Sequence, residues 1–147
     1  MAASGKSFLF DEEFEVTALN PGGKKFERVS RIKASGVTYD LDLLIDVFTE
    51  AYPMNVKESF SMVLHSTVDM QGKPDSGKYE HSSKATLIDQ YDYCMHGKIY
   101  RCEHVGEHKL AVYVSYGGLL MKLVGEQRHL QSLDLDSQIY CLIRKVV

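Results

Sequence analysis

Four side chains in the second half of the chain have the types that bind soft metals, Cys94-Met95-His96 followed by Cys102-Glu103-His104. A reversal at Gly97-Lys98 would bring these two Cys-x-His pairs towards one zinc ion, but their spacing matches no standard zinc knuckle. Cys94 and Cys102 share strand parity with Lys98 and Tyr100, a mixed face, so partly buried thiols and exposed imidazoles are expected and no metal. The acidic run Asp11, Glu12, Glu13 and Glu15 supplies carboxylates without a catalytic partner nearby. Acid-base work needs two groups whose environments push their pKa values apart, so a solvated charged face is expected instead. His65-Ser66 lacks the Gly-x-Ser-x-Gly elbow of a hydrolase nucleophile. No catalytic residue and no cofactor is therefore assigned.

One cluster suits binding better than reaction. Lys24, Lys25, Arg28, Arg31 and Lys33 surround Phe26, and cations around a ring on which a base can stack are the combination of single-strand-binding grooves. The competing reading pairs this basic strand antiparallel with the acidic strand before it, so that opposite charges neutralise each other across the ladder.

The elements that would position these groups are short and extended. Thr38 to Val47 alternates, with Tyr39, Leu41, Leu43, Ile45 and Val47 on one side, the period-two pattern of a strand with one buried face. Phe60, Met62 and Leu64 alternate with polar neighbours after the break at Tyr52-Pro53. Phe8, Phe10 and Phe14 mark a first strand, and Phe26 to Ala34 a second, joined by the turn residues Asn20-Pro21-Gly22-Gly23. Val29 and Ile32 are three apart, which predicts a bulge there. Tyr91, Tyr93, Met95 and Ile99 form an aromatic strand interrupted by Gly97, and Ile139 to Val147 a last one. Only Glu126 to Gln131 reads as helix.

The stretch Ala111 to Gly125 is an apolar hairpin around Gly117-Gly118, a pair that accepts the positive φ of a type I′ turn. One face of it, Val112, Val114 and Tyr116, can fill a core. The other still carries Tyr113, Leu120 and Val124, more apolar surface than a ribbon facing water needs, and Tyr and Met are enriched at protein interfaces. A partner surface is expected from Tyr91, Tyr93, Tyr113, Ser115, Tyr116, Gly117, Gly118, Leu119, Leu120 and Met121.

The 147 residues suit one domain, with a single core. A net charge of −3 argues against bulk attraction to nucleic acid or to anionic membrane. No apolar run approaches a membrane span, and the start Met-Ala-Ala-Ser-Gly-Lys lacks a secretory apolar stretch, so an intracellular protein is expected. Cys94, Cys102 and Cys141 cannot all pair, and reduced thiols are expected. Residues 69–84, rich in Gly, Ser, Asp and Lys, are expected to form a mobile loop. The absence of long helices together with seven or eight short strands predicts an all-β fold, a closed or partly closed antiparallel barrel.

Taken together, Phe10 to Val16, Gly23 to Arg31, Tyr91 to Tyr100, Tyr113 to Met121 and Asp136 to Tyr140 resemble the family of the eighth, small subunit shared by eukaryotic nuclear RNA polymerases I, II and III. The block Ser115-Tyr116-Gly117-Gly118-Leu119-Leu120-Met121 is the most specific part, and the resemblance runs over nearly the whole chain. It departs mainly in loops: at Phe48, in 69–84 and in the short connection from Glu103 to Lys109. The resemblance implies an eight-stranded antiparallel barrel of the oligonucleotide/oligosaccharide-binding (OB) type, a non-catalytic place docked on the largest subunit, and a nuclear, including nucleolar, location. It also implies weak, sequence-independent single-stranded DNA binding through the region from Thr17 to Asp40. Two other classes stay open, a free-standing single-strand binder using Lys24 to Lys33 and a small zinc protein or enzyme using Cys94, His96, Cys102 and His104.

Overall fold

The computed structural model describes residues 8–21, 28–66 and 90–146, without the side chain of Phe8. The strands are β1 (Phe8–Leu19), β2 (Ser30–Gly36), β3 (Asp42–Val47), β4 (Ser59–His65), β5 (Tyr93–Gly106), β6 (Lys109–Tyr116), β7 (Leu119–Glu126) and β8 (Gln138–Val146). A four-residue helix, α1 (Gln127–Leu130), follows β7 and drops Leu130 into the core. The strands close into one antiparallel barrel in the order β1-β2-β3-β7-β6-β5-β8-β4; eight strands are what the resemblance implies, and a barrel is what the alternation suits. Exchanging β1–β4 with β5–β8 in that order returns the same ring, so the topology has an internal two-fold relation. The expected loop at 69–84 lies outside the described residues.

Closure depends on two long strands that each serve two neighbours. β1 pairs with β4 from Phe8 to Glu15 and with β2 from Phe14 to Leu19. β5 pairs with β8 from Tyr93 to Lys98, then with β6 from Lys98 to Gly106. The two pairings overlap at Lys98, next to Gly97, where a Cβ would overlap the Ser115 carbonyl oxygen. Gly97 therefore bends a continuous strand instead of ending it, because only a residue without a side chain lets β6 cross so near.

Alternation sorts the side chains as expected. Leu41, Leu43, Ile45 and Val47, then Phe60, Met62 and Leu64, and Val112, Val114 and Tyr116 all face inward, with Phe14 stacked between Phe10 and Phe60. Tyr39 is the exception. It lies in the loop before β3, exposed and tilted against His129 at 4.0 Å. The expected bulge is also displaced: β2 is regular, and the register instead shifts in β1 between Val16 and Ala18, where the Thr17 hydroxyl donates to the Lys33 carbonyl at 3.1 Å. The three apolar steps from Val29 to Ile32 reflect the late start of β2, at Ser30.

The acidic run is not wholly a solvated face. Glu12 is buried, and its two oxygens accept the backbone N–H groups of Glu13 and Tyr39, each at 2.9 Å, which ties the β2–β3 loop to β1. The run also does not face the basic strand, since Glu15 lies opposite Ser35 and Lys33 opposite Ala18.

Two outcomes test this packing. Gly97→Ala should destabilise the barrel by about 1–3 kcal/mol or more through overpacking. In the same denaturant series Gly106→Ala, whose new Cβ would meet only the Lys109 Cβ at 3.7 Å, should be nearly neutral. The second outcome concerns Cys141, enclosed in the barrel, whose thiol burial pushes from the ordinary 9.0 up to about 12. Between those values the unfolded chain has lost a proton that the folded chain keeps. Stability from this group is complete below about pH 9 and falls above it, by up to about 1.4 kcal/mol per pH unit. Denaturation midpoints between pH 8 and 11 should fall less steeply in Cys141→Ala than in the parent.

Candidate interaction surface

The hairpin of β6 and β7 is joined by two residues, Gly117 at φ +64° and Gly118 at φ +107°, with Tyr116 opposite Leu119. Both φ values fall where L side chains are strained, so the sequence dictates this turn. The Ser115 hydroxyl accepts the Gly118 N–H at 3.3 Å.

A two-residue turn fixes which side chains face outward. Tyr113 and Ser115 on β6 lie beside Lys122 and Leu120 on β7, and Leu120 is 39% exposed. The Tyr113 ring has the Arg101 guanidinium 5.3 Å from its centroid and the Lys122 ammonium at 5.6 Å, with the Tyr100 ring 6.1 Å away. Arg101 also pairs with Glu103. The face is thus an apolar ribbon tip at Leu120 continued by an aromatic patch between two cations.

Not every residue expected on this surface reaches it. Tyr116 and Met121 point into the barrel, 5% and 1% exposed, with the Tyr116 hydroxyl 3.5 Å from the Met121 sulfur. Their alternation with Ser115 and Leu120 places them inside, so their side chains are unavailable to a partner. Leu119 is half-buried and packs on the core, while Gly117 and Gly118 are exposed. Tyr91 and Tyr93 belong to another part of the wall. Tyr93 stacks on Tyr52 at 5.3 Å and its hydroxyl accepts the Phe48 N–H at 3.1 Å, while the Arg144 guanidinium lies 5.6 Å from the Tyr91 ring. Neither shares a described neighbour with Tyr113.

Of the basic cluster, Lys24, Lys25 and Phe26 lie outside the described residues. Arg28 pairs with Glu50 at 3.1 Å in solvent, and Lys33 is exposed. Arg31 is engaged more deeply: its Nε donates to Asp46 Oδ1 at 2.7 Å and its Nη2 to Oδ2 at 3.2 Å. Neutralisation of this strand therefore comes from β3 and the turn after it, not from the acidic β1.

The two Cys-x-His pairs are not brought together. Cys94 lies opposite Leu142 of β8 and Cys102 opposite Val112 of β6, on successive stretches of β5 with different neighbours. His96 packs against the Tyr140 ring at 4.4 Å, and His104 is exposed. Burial pushes the Cys94 thiol up to about 11 and raises that of Cys102, which holds both protonated at neutral pH and makes them poor ligands or nucleophiles. Among the described residues no three His, Cys, Asp or Glu side chains stand together as a metal cage.

Residues 11–145 match the family described as RNA polymerase Rpb8. A Dictyostelium discoideum protein named DNA-directed RNA polymerases I, II, and III subunit rpabc3 is 44% identical over 95% of this chain and 98% of its own. An Arabidopsis thaliana protein named DNA-directed RNA polymerases II, IV and V subunit 8B is 39% identical over 94% of this chain and 96% of its own. The Saccharomyces cerevisiae DNA-directed RNA polymerases I, II, and III subunit RPABC3 is 34% identical over 93% and 97%. With a barrel of the expected strand number and similarity over nearly its whole length, the chain belongs to the RNA polymerase Rpb8 family.

Proposed function

We propose that this chain is a non-catalytic structural subunit common to the nuclear DNA-directed RNA polymerases I, II and III, and that it docks on the largest subunit through the outer face of β6 and β7. It works in the nucleus, and, as a subunit of polymerase I, in the nucleolus as well. The polymerase role rests on the family and on the names of its relatives, which agree on polymerase II and differ over the others. Nucleotide chemistry belongs to other chains of the enzyme.

The observation that carries the docking surface is Leu120. It lies on a ribbon whose inner face is fully committed to the core, yet it remains exposed beside Tyr113 and Lys122, with a glycine turn that lets another backbone approach closely. Apolar and aromatic groups held in a rigid frame bind at small entropic cost. The Arg101 and Lys122 cations flanking Tyr113 give the rim its polarity.

Capture by a tag on this chain, followed by mass spectrometry, should recover the very large polymerase chains in stoichiometric amounts. Leu120→Asp should change the stability of the isolated barrel by no more than about 0.5 kcal/mol, as a surface substitution does. The same change should weaken recovery of the largest subunit more than about tenfold. Met121→Asp, one residue along and inside, should unfold the barrel by circular dichroism. A Leu120→Asp chain that stays folded and still captures the largest subunit in full would move the docking surface elsewhere.

A further inference from the structure

The hairpin tip is held by a side chain where a ladder would be expected. The pairing of β3 with β7 runs from Asp42 opposite Val124 to Ile45 opposite Met121 and stops. One step further, where Asp46 would face Leu120, the Leu120 N–H donates to the Asp46 carboxylate, to Oδ2 at 2.9 Å. The same carboxylate receives both contacts from Arg31 on β2, so each of its oxygens is engaged. Asp46 is only 6% exposed although it lies on the outward parity of β3, with Leu43, Ile45 and Val47 inside.

A buried carboxylate without a counter-charge is costly, and one that is paired and fully hydrogen-bonded is tolerated. Here the guanidinium supplies the charge and the Leu120 amide the last donor. Three strands, β2, β3 and β7, meet at this one group. The amide it fixes belongs to the residue that carries the docking surface.

We infer that Asp46, oriented by Arg31, is a positioning residue that sets the backbone of the hairpin tip for partner docking, and that Arg31 serves this pair and not a nucleic-acid phosphate. The inference rests on the docking reading for its functional part, but the hook itself does not. Loss of the carboxylate leaves the Leu120 N–H without its acceptor and Arg31 without its counter-charge. The tip then samples other positions while the ladder of β6 and β7 stays formed.

The test uses the full chain with Asp46→Asn, Arg31→Gln and the milder Arg31→Lys, which keeps the charge but not the two-point contact. Amide hydrogen exchange should quicken at Leu120 by about tenfold or more in Asp46→Asn, the loss expected for a hydrogen bond to a charged group, while amides of Val112 and Val114 change little. Recovery of the largest subunit should fall in the order Arg31→Lys, Arg31→Gln, Asp46→Asn, and affinity for an oligo-dT strand should be the same in the two Arg31 variants as in the parent. Unchanged Leu120 exchange, or exchange quickened equally along all of β6 and β7, would overturn the inference. So would a loss of oligo-dT affinity in Arg31→Gln with undiminished docking. If Leu120 exchange quickens and docking persists, the positioning role is overturned, and Leu120→Asp then tells whether the docking surface proposed above fails with it: a surface that stands loses the largest subunit in Leu120→Asp alone. Should Asp46→Asn not fold, the same comparison is made with Arg31→Lys.

Discussion

A barrel of eight strands closes only if every strand finds two neighbours, and in this chain the condition is met because β1 and β5 bend from one neighbour to another along their length. The passage in β5 is allowed by the missing side chain of Gly97, next to the shared Lys98, and that in β1 falls at Phe14 and Glu15, just before the extra residue at Thr17. Closure protects most of the ladder edges that an open sheet would leave available for pairing with another chain. It also fixes which parity of each strand is inside. The outward face of the hairpin is therefore determined by the closure of the whole wall and not by the hairpin alone.

That geometry shifts the polar work to a few carboxylates. Glu12 and Asp46 are both nearly buried, and each accepts backbone N–H groups from a segment distant in sequence, Tyr39 in one case and Leu120 in the other. Charged acceptors make stronger hydrogen bonds than neutral ones. They serve here where strands diverge and the regular ladder gives out. Their hydrogen bonds to the backbone of distant segments mark them as structural.

Much of this was legible in the letters. Strict alternation located β3 and β4, the Gly117-Gly118 pair fixed the hairpin register, and the same parity already put Tyr116 with the core-facing Val112 and Val114. What alternation does not carry is the identity of cross-strand partners. Arg31 reads as one of five cations in a row, and only the pairing of Arg31 opposite Asp46 reveals that its charge is taken. Glu12 reads as one of four acids, and only the fold of the β2–β3 loop onto β1 reveals why one of them is buried. The bulge lies in β1 and not near Val29 for a related reason: apolar spacing records where side chains point, whereas a bulge is a property of two strands together.

The ring order has a kinetic side. Its two halves, β1–β4 and β5–β8, are joined along two seams, β3 against β7 and β4 against β8, and both seams connect residues more than seventy positions apart. Neither half can close by itself. Because β8 bridges β4 and β5, the wall stays open until β8 is in place, and until then β4 and β5 each keep an unpaired edge. Contacts of such range slow folding, since loop closure must precede the interactions that reward it. A substitution on either seam therefore loosens both halves at once, because each half supplies the edge that the other lacks.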